Sequence, residues 1–131
     1  MYDVQYNNHE VMIMDSVGEI LGSLAVELKR GTLVLTVLSQ LITKEYGYSL
    51  VQKLEEKKVP IEAGTLYPLL RRLEKQGLLQ SEWDTGESRP RKFYVLSEKG
   101  KDVYIQLKDE WRTISKQMEI LLREEEKNEP D

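Results

Sequence analysis

The sequence contains no cysteine and a single histidine, His9. Without thiols there is no disulfide, no thiolate zinc site and no cysteine nucleophile, and one imidazole in a polar N-terminal stretch is too little for a metal centre. No metal and no cofactor are expected. No apolar run reaches membrane-spanning length, and Met1 to Glu10 lacks the basic start and apolar stretch of a secretory signal. A cytoplasmic chain with no membrane partner is therefore expected. The eight glycines are scattered and form no phosphate-cradling loop, and no nucleophile stands beside a base. The carboxylates fall mostly on polar helix faces or in the acidic ends, where they read as solvating charge, so an enzyme is not expected.

The net charge of −4 argues against a nucleic-acid partner until it is divided along the chain. Residues 1–28 hold Asp3, Glu10, Asp15, Glu19 and Glu27 with no Lys or Arg, and residues 124–131 hold five acids against Lys127. The middle is correspondingly basic. Between Ala63 and Lys101, Arg71, Arg72, Lys75, Arg89, Arg91, Lys92, Lys99 and Lys101 stand against five acids. Ordinary surface charge looks similar, so the pattern needs a shape argument.

Hydrophobic spacing supplies one. Residues 1–15 read as a polar arm. Ser16 and Glu19 have capping-box spacing ahead of Val17, Ile20, Leu21, Leu24, Ala25 and Leu28, which predicts an amphipathic helix over 16–30. Its apolar stripe fits equally the chain's own core or a partner subunit. Thr32 to Thr43 is the next helix, and Ser49 with Gln52 opens a short one through Lys57. A third helix runs to Gln76 and stops at Gly77. Two strands follow, Leu78 to Asp84 and Lys92 to Leu96. Ser97 then caps a long helix over 98–125, ahead of an acidic tail, 126–131. The expected fold is mostly α with a small β-hairpin: a winged helix-turn-helix over 31–97, with dimerisation helices at both ends.

The third helix has two unlike faces. Leu66, Leu69, Leu70 and Leu73 converge on one side, while Gly64, Pro68, Arg71, Arg72 and Lys75 occupy the other, with Thr65 and Tyr67 at the edges. A bare N-terminal end followed by bases suits a recognition helix, which enters the major groove N-terminus first. Pro68 has two placements. With Thr65 as N-cap it falls in the first turn, where no donor is needed; with a start near Glu62 it is interior and Gly64 softens the clash. Thr65 and Tyr67 also suit a cap and a core-edge aromatic. The loop from Thr85 to Lys92 gathers Arg89, Arg91 and Lys92 beside Gly86 and Pro90, and fits either a wing on DNA or a solvated hairpin.

On the last helix Tyr104, Leu107, Trp111, Ile114, Met118 and Leu121 alternate spacings of three and four, a heptad seam. Such a seam has too little domain to cover it, so it is read as a homodimer contact, joined by Ile20, Leu21, Leu24 and Leu28.

The stretches Leu28-Lys29-Arg30-Gly31-Thr32-Leu33, Tyr46-Gly47-Tyr48, GTLYPLLRRLEKQGLL from Gly64 to Leu79 and PRKFYVLSEKG from Pro90 to Gly100 resemble the PadR family of transcriptional regulators, in its compact branch with a short C-terminal helix. The resemblance implies a homodimer that represses by occupying a palindromic operator on double-stranded DNA and is released by a small molecule, a partner or changed expression. It places Thr65, Tyr67 and the adjoining bases toward DNA, and Tyr48 near the DNA backbone. In multidrug-sensing relatives a tryptophan on the last helix stacks on flat ligands. That gives Trp111 two readings: packing across the seam, or stacking on a flat apolar or cationic effector with Leu107, Ile114 and Met118 as walls. The long segment before Ser16 departs from compact relatives. The rival to the whole reading is a winged-helix adaptor that binds protein instead of DNA.

Overall fold

The structure, a computed structural model, describes residues 8–86 and 88–128, and of residues 9–15 the backbone alone. The first residues of the expected arm and the end of the acidic tail lie outside that range. Among the described residues the elements are, in order, α1 (Asn8–Arg30), α2 (Leu33–Ser39), β1 (Glu45–Tyr46), α3 (Gly47–Glu56), α4 (Ala63–Lys75), β2 (Leu79–Asp84), β3 (Arg91–Leu96) and α5 (Glu98–Lys127). They form two units, one ending at Leu33 and one starting at Val34.

In the second unit the core is built largely of leucine. Leu66, Leu69, Leu70 and Leu73 of α4 are buried, as are Val37 and Leu38 of α2, Leu41 just beyond it, and Leu50 and Leu54 of α3. Each such side chain contributes about 1.5–3 kcal/mol when removed from water. The strands make a three-stranded antiparallel sheet in the order β1-β3-β2. Leu79 pairs with Leu96 at its inner end and Asp84 with Arg91 at the root of the turn.

The helix ends around α4 share one geometry. At its C-terminus the N–H of Gly77 donates to Glu74 and that of Leu78 to Leu73, with Gly77 at φ +79°. The end of α3 repeats the pattern: Lys58 donates to Glu55 and Val59 to Leu54, but the left-handed position holds a lysine at φ 64°. Both are Schellman ends, and only the first has the residue that adopts this conformation without steric cost.

Joining sheet to α5 requires a close backbone approach. The N–H of Ser97 donates to the carbonyl of Leu78 (3.0 Å), and Ser97 Oγ donates to the carbonyl of Gly77 (2.7 Å) while accepting from the N–H of Gly100 (2.9 Å). Ser97 is thus the N-cap of α5, as its sequence position predicts. A Cβ on Gly100 would lie 2.0 Å from the Leu78 oxygen, which is why this buried helical position carries glycine.

Several boundaries differ from the sequence reading. α1 starts at Asn8, so Ser16 and Glu19 lie inside a helix instead of at its cap; no proline or glycine between Asn8 and Asp15 interrupts it. α2 ends at Ser39 and not Thr43. The bonds of Gln40 and Leu41 to Val37 and Leu38 tighten its end, and the Leu41 carbonyl then accepts from Leu96 of β3. α3 begins at Gly47 with Tyr46 as N-cap and no side-chain cap bond, so Ser49 is a first-turn residue. The two-residue strand β1 was not expected, being too short to show an alternation. α5 continues to Lys127. Among the described residues no helix is long and apolar enough to cross a membrane.

Candidate nucleic-acid interface

Of the two placements open to Pro68, the structure shows the interior one. α4 begins at Ala63 with Glu62 as N-cap, and the Glu62 carbonyl accepts from both Thr65 and Leu66 at 2.9 Å. Thr65 is therefore within the helix and not its cap. The residue four before Pro68 is Gly64, whose position is open: a Cβ there would meet nothing within 4 Å. Burial of the four leucines turns Gly64, Thr65, Pro68, Arg71, Arg72 and Lys75 outward, all exposed, with Tyr67 half-buried.

Tyr67 ties this helix to α3. Its ring lies over Gly47, where a Cβ would come within 2.6 Å of the ring edge, so the small residue lets the aromatic side chain pack flush. Next to Gly47, Tyr46 and Tyr48 stack with centroids 5.9 Å apart and planes 15° apart. Tyr48 is exposed, and its hydroxyl accepts from Nη1 of Arg91 at 2.7 Å. The same guanidinium sits 4.8 Å above the Tyr46 ring. Tyr46 in turn donates to Asp84 at 2.6 Å, while the N–H of Gly86 donates to the other Asp84 oxygen at 3.1 Å.

These contacts have electrostatic consequences. The hydrogen bond from Tyr46 and that from the Gly86 N–H, with the nearby charge of Arg91, hold the Asp84 carboxyl below its ordinary range. The Tyr46 hydroxyl is pushed up, first by its bond to Asp84 and then by partial desolvation. Arg91 is thereby a pre-positioned cation at the root of the hairpin. Arg91, which the sequence reading left in the loop, opens β3, and Lys92 follows it in the strand as its expected start had it. Of the three bases assigned to the tip, Arg89 alone is there, and it is exposed.

Lys92 is also not a free cation. Its Nζ lies 3.4 Å from Glu74 on α4, a carboxylate that also accepts a short hydrogen bond from Ser81 of β2. Glu74 therefore fastens hairpin to helix and neutralises Lys92. Lys99 and Lys101 are likewise engaged, with the Gln76 carbonyl (3.3 Å) and with Glu98 (3.1 Å). Sequence reasoning gave no site role to Tyr46, Glu74, Asp84 or Trp83. Trp83 carries a usable signal, since it alternates with Leu79 and Ser81 and so shares their face of β2.

The assigned dimer and effector residues are all on helices. Trp111, Ile114, Met118 and Leu121 are 45–58% exposed along α5, with Tyr104 and Leu107 half-buried nearer the sheet. On α1, Ile20, Leu21, Leu24 and Leu28 are exposed. Among the described residues no cluster of His, Asp and Glu is arranged to hold a metal ion.

A three-stranded winged helix whose outward helix is bare at its start and basic thereafter defines a class, the winged-helix transcriptional regulators. The profile of the Transcriptional regulator PadR-like family matches residues 34–106, and the chain belongs to that family. Solved structures agree. A PadR family transcriptional regulator from Eggerthella lenta superposes with a TM-score of 0.77 at 48% identity, over 82% of this chain and 96% of that one. A PadR family transcription regulator from Clostridium difficile gives 0.64 at 32% identity, over 70% and 98%. A PadR-like transcription factor from Bacteroides fragilis gives 0.64 at 30% identity, over 76% and 98%. Among curated proteins none matches the chain.

Proposed function

We propose that this PadR-family regulator is a homodimer that binds a palindromic operator in double-stranded DNA, represses by occupying it, and is released by a small-molecule or partner signal. The observation that carries the reading is the outward face of α4. It is open at Gly64, lined by Thr65, Tyr67 and Pro68, and continued by Arg71, Arg72 and Lys75, next to a hairpin whose root presents Tyr48 and Arg91. The first part suits base edges in a major groove, and the rest suits phosphates. Arg89 at the tip reaches an adjacent minor groove or its phosphates.

Dimerisation follows from exposed area. The apolar row from Trp111 to Leu121, and the row from Ile20 to Leu28, would leave a single chain with large unsatisfied apolar faces. Each is covered when two copies associate about a two-fold axis, and two heads then meet half-sites about one helical turn, ~34 Å, apart. Trp111, with Leu107, Ile114 and Met118, either packs there against the partner's helix or stacks on a flat apolar or cationic effector.

The test is retardation of a duplex carrying the region upstream of the chain's own coding sequence. Binding is expected to weaken steeply between low and moderate salt. Full affinity retained after combined Arg71→Gln and Arg91→Gln exchange would refute this interface, and no retardation by the wild type would favour an adaptor that binds protein. For the effector, emission from Trp111 is followed against a panel of planar cationic dyes; quenching supports stacking, and none across the panel supports packing alone.

A further inference from the structure

We infer that Trp83 is a DNA-contact residue, its indole packing on the deoxyribose faces of the strand that passes between α4 and the hairpin. The inference rests on the DNA-binding reading above and adds to it an apolar contact to the sugar backbone.

Placement comes first. Leu79, Ser81 and Trp83 alternate on one face of β2. Ser81 donates to Glu74, so that face is turned to α4. Trp83 pairs in register with Lys92, whose Nζ lies 5.9 Å from the indole centroid and 3.4 Å from Glu74. Tyr67, Arg71 and Glu74 fall on one edge of α4 by helical spacing. The indole therefore stands on the hairpin across from the edge that carries Arg71, one pleat nearer the tip than the Glu74 tether.

Exposure and charge select the occupant. Trp83 is 61% exposed, although its face of the strand starts with a buried leucine. Lys92 stands beside it at 5.9 Å, its face of β2 is turned to the helix that carries the exposed Arg71, Arg72 and Lys75, and the exposed Arg89 follows in the tip. An exposed aromatic surface on a face turned to a basic helix complements a polyanion that is itself partly apolar. The DNA backbone is such a ligand, alternating phosphates with apolar sugar faces. Lys92 is neutralised by Glu74 and so is better fitted to steady the indole from one side than to grip a phosphate. The contact is independent of base sequence, so a mixed-sequence duplex at low salt is a sufficient probe.

The chain contains two tryptophans, Trp83 and Trp111, which makes the test direct. Acrylamide quenching of tryptophan emission is measured on the full chain with and without that duplex, and again on Trp83→Phe. Part of the wild-type emission is expected to become inaccessible to acrylamide when duplex is bound, and this protection disappears in Trp83→Phe. In parallel, Trp83→Ala should weaken duplex binding about tenfold with an unchanged salt slope, because no charge is removed, while Trp83→Phe stays within about threefold. Arg71→Gln should instead flatten the slope by about one. Duplex bound normally but giving no protection in the wild type, or protection that survives in Trp83→Phe, overturns the inference and leaves the DNA-binding reading standing. Absence of duplex binding by the wild type overturns both. An Ala variant that fails to fold does not matter to the quenching comparison, which needs only the Phe variant.

Discussion

Nη1 of Arg91 donates to the hydroxyl of Tyr48 across 2.7 Å, linking the root of the hairpin to the first turn of α3. A cation that would otherwise sweep solvent is held in one orientation by this bond and by the Tyr46 ring beneath it. Removing the tether and removing the charge should therefore have different signatures. Tyr48→Phe keeps the ring and the charge, and is expected to weaken duplex binding by about threefold with little change in salt slope, since one exposed hydrogen bond contributes about 0.5–1.5 kcal/mol. Arg91→Gln is expected to weaken it more and to lower the slope by about one. Titrations at several salt concentrations distinguish the two, and identical slopes for wild type and Arg91→Gln would exclude a phosphate contact.

Two glycines meet neighbours of very different stiffness. At Gly100 an added methyl meets the Leu78 carbonyl, which is backbone and already holds the Ser97 N–H. Gly100→Ala should cost about 3 kcal/mol, at the upper end of overpacking, because α5 must shift from the sheet. At Gly47 the obstacle is the Tyr67 ring, a side chain that can rotate away. Gly47→Ala should cost only about 1 kcal/mol but displace Tyr67 and impair duplex binding. Denaturant unfolding and binding titrations on both variants check the contrast.

The two Schellman ends make a matched pair. Lys58 adopts φ 64° in a setting where Gly77 adopts +79°. Lys58→Gly should relieve about 1 kcal/mol of left-handed strain, partly offset by the greater entropy of glycine in the unfolded chain, for a small net gain. Gly77→Ala should destabilise by about 1–2 kcal/mol. Opposite shifts of the unfolding midpoint are expected, and a loss of stability in Lys58→Gly would mean that the lysine side chain outweighs its strain.

The Tyr46–Asp84 pair sets a pH window. Asp84 is depressed in the folded chain, so its contribution is present above the unfolded carboxyl value of 3.8 and is lost as pH falls through the lower folded value. Tyr46 is raised, so its contribution is present below 10.0 and is lost as pH rises through the higher folded value. Between these limits the hairpin root should not respond to pH. Carboxyl NMR titration should show Asp84 below its ordinary value and returning toward it in Tyr46→Phe; an unchanged Asp84 in that variant would contradict the assigned cause.

If α5 makes the dimer contact, one charge in its exposed row should break it. Ile114 is 51% exposed in the single chain, so Ile114→Glu leaves the fold of the head intact while placing two carboxylates at the proposed two-fold seam. Light scattering is expected to show a dimer for the wild type and a monomer for the variant at micromolar concentration, with duplex affinity falling together with the dimer. A variant that remains dimeric would move the interface elsewhere.

The leucine periodicity of α4, the Ser97 cap, the Gly77 stop and the apolar row along α5 were legible in the residues, because each depends on spacing along one element or on a conformation that one residue type favours. The opposition of core and outward faces on α4 was legible for the same reason. Capping boxes were less dependable: Ser16 and Ser49 have the right partners three residues on, yet the chain was already helical before them. What only the tertiary structure decided is which bases are available. Arg91 is oriented by Tyr46 and Tyr48, from an element more than forty residues away, and Lys92 is neutralised by Glu74. Strand β1, the Asp84 tether and the pairing of Trp83 with Lys92 belong to the same category. Each depends on sheet register and on contacts between distant segments, whose closure is determined by burial of the shared leucine core and not by any local pattern.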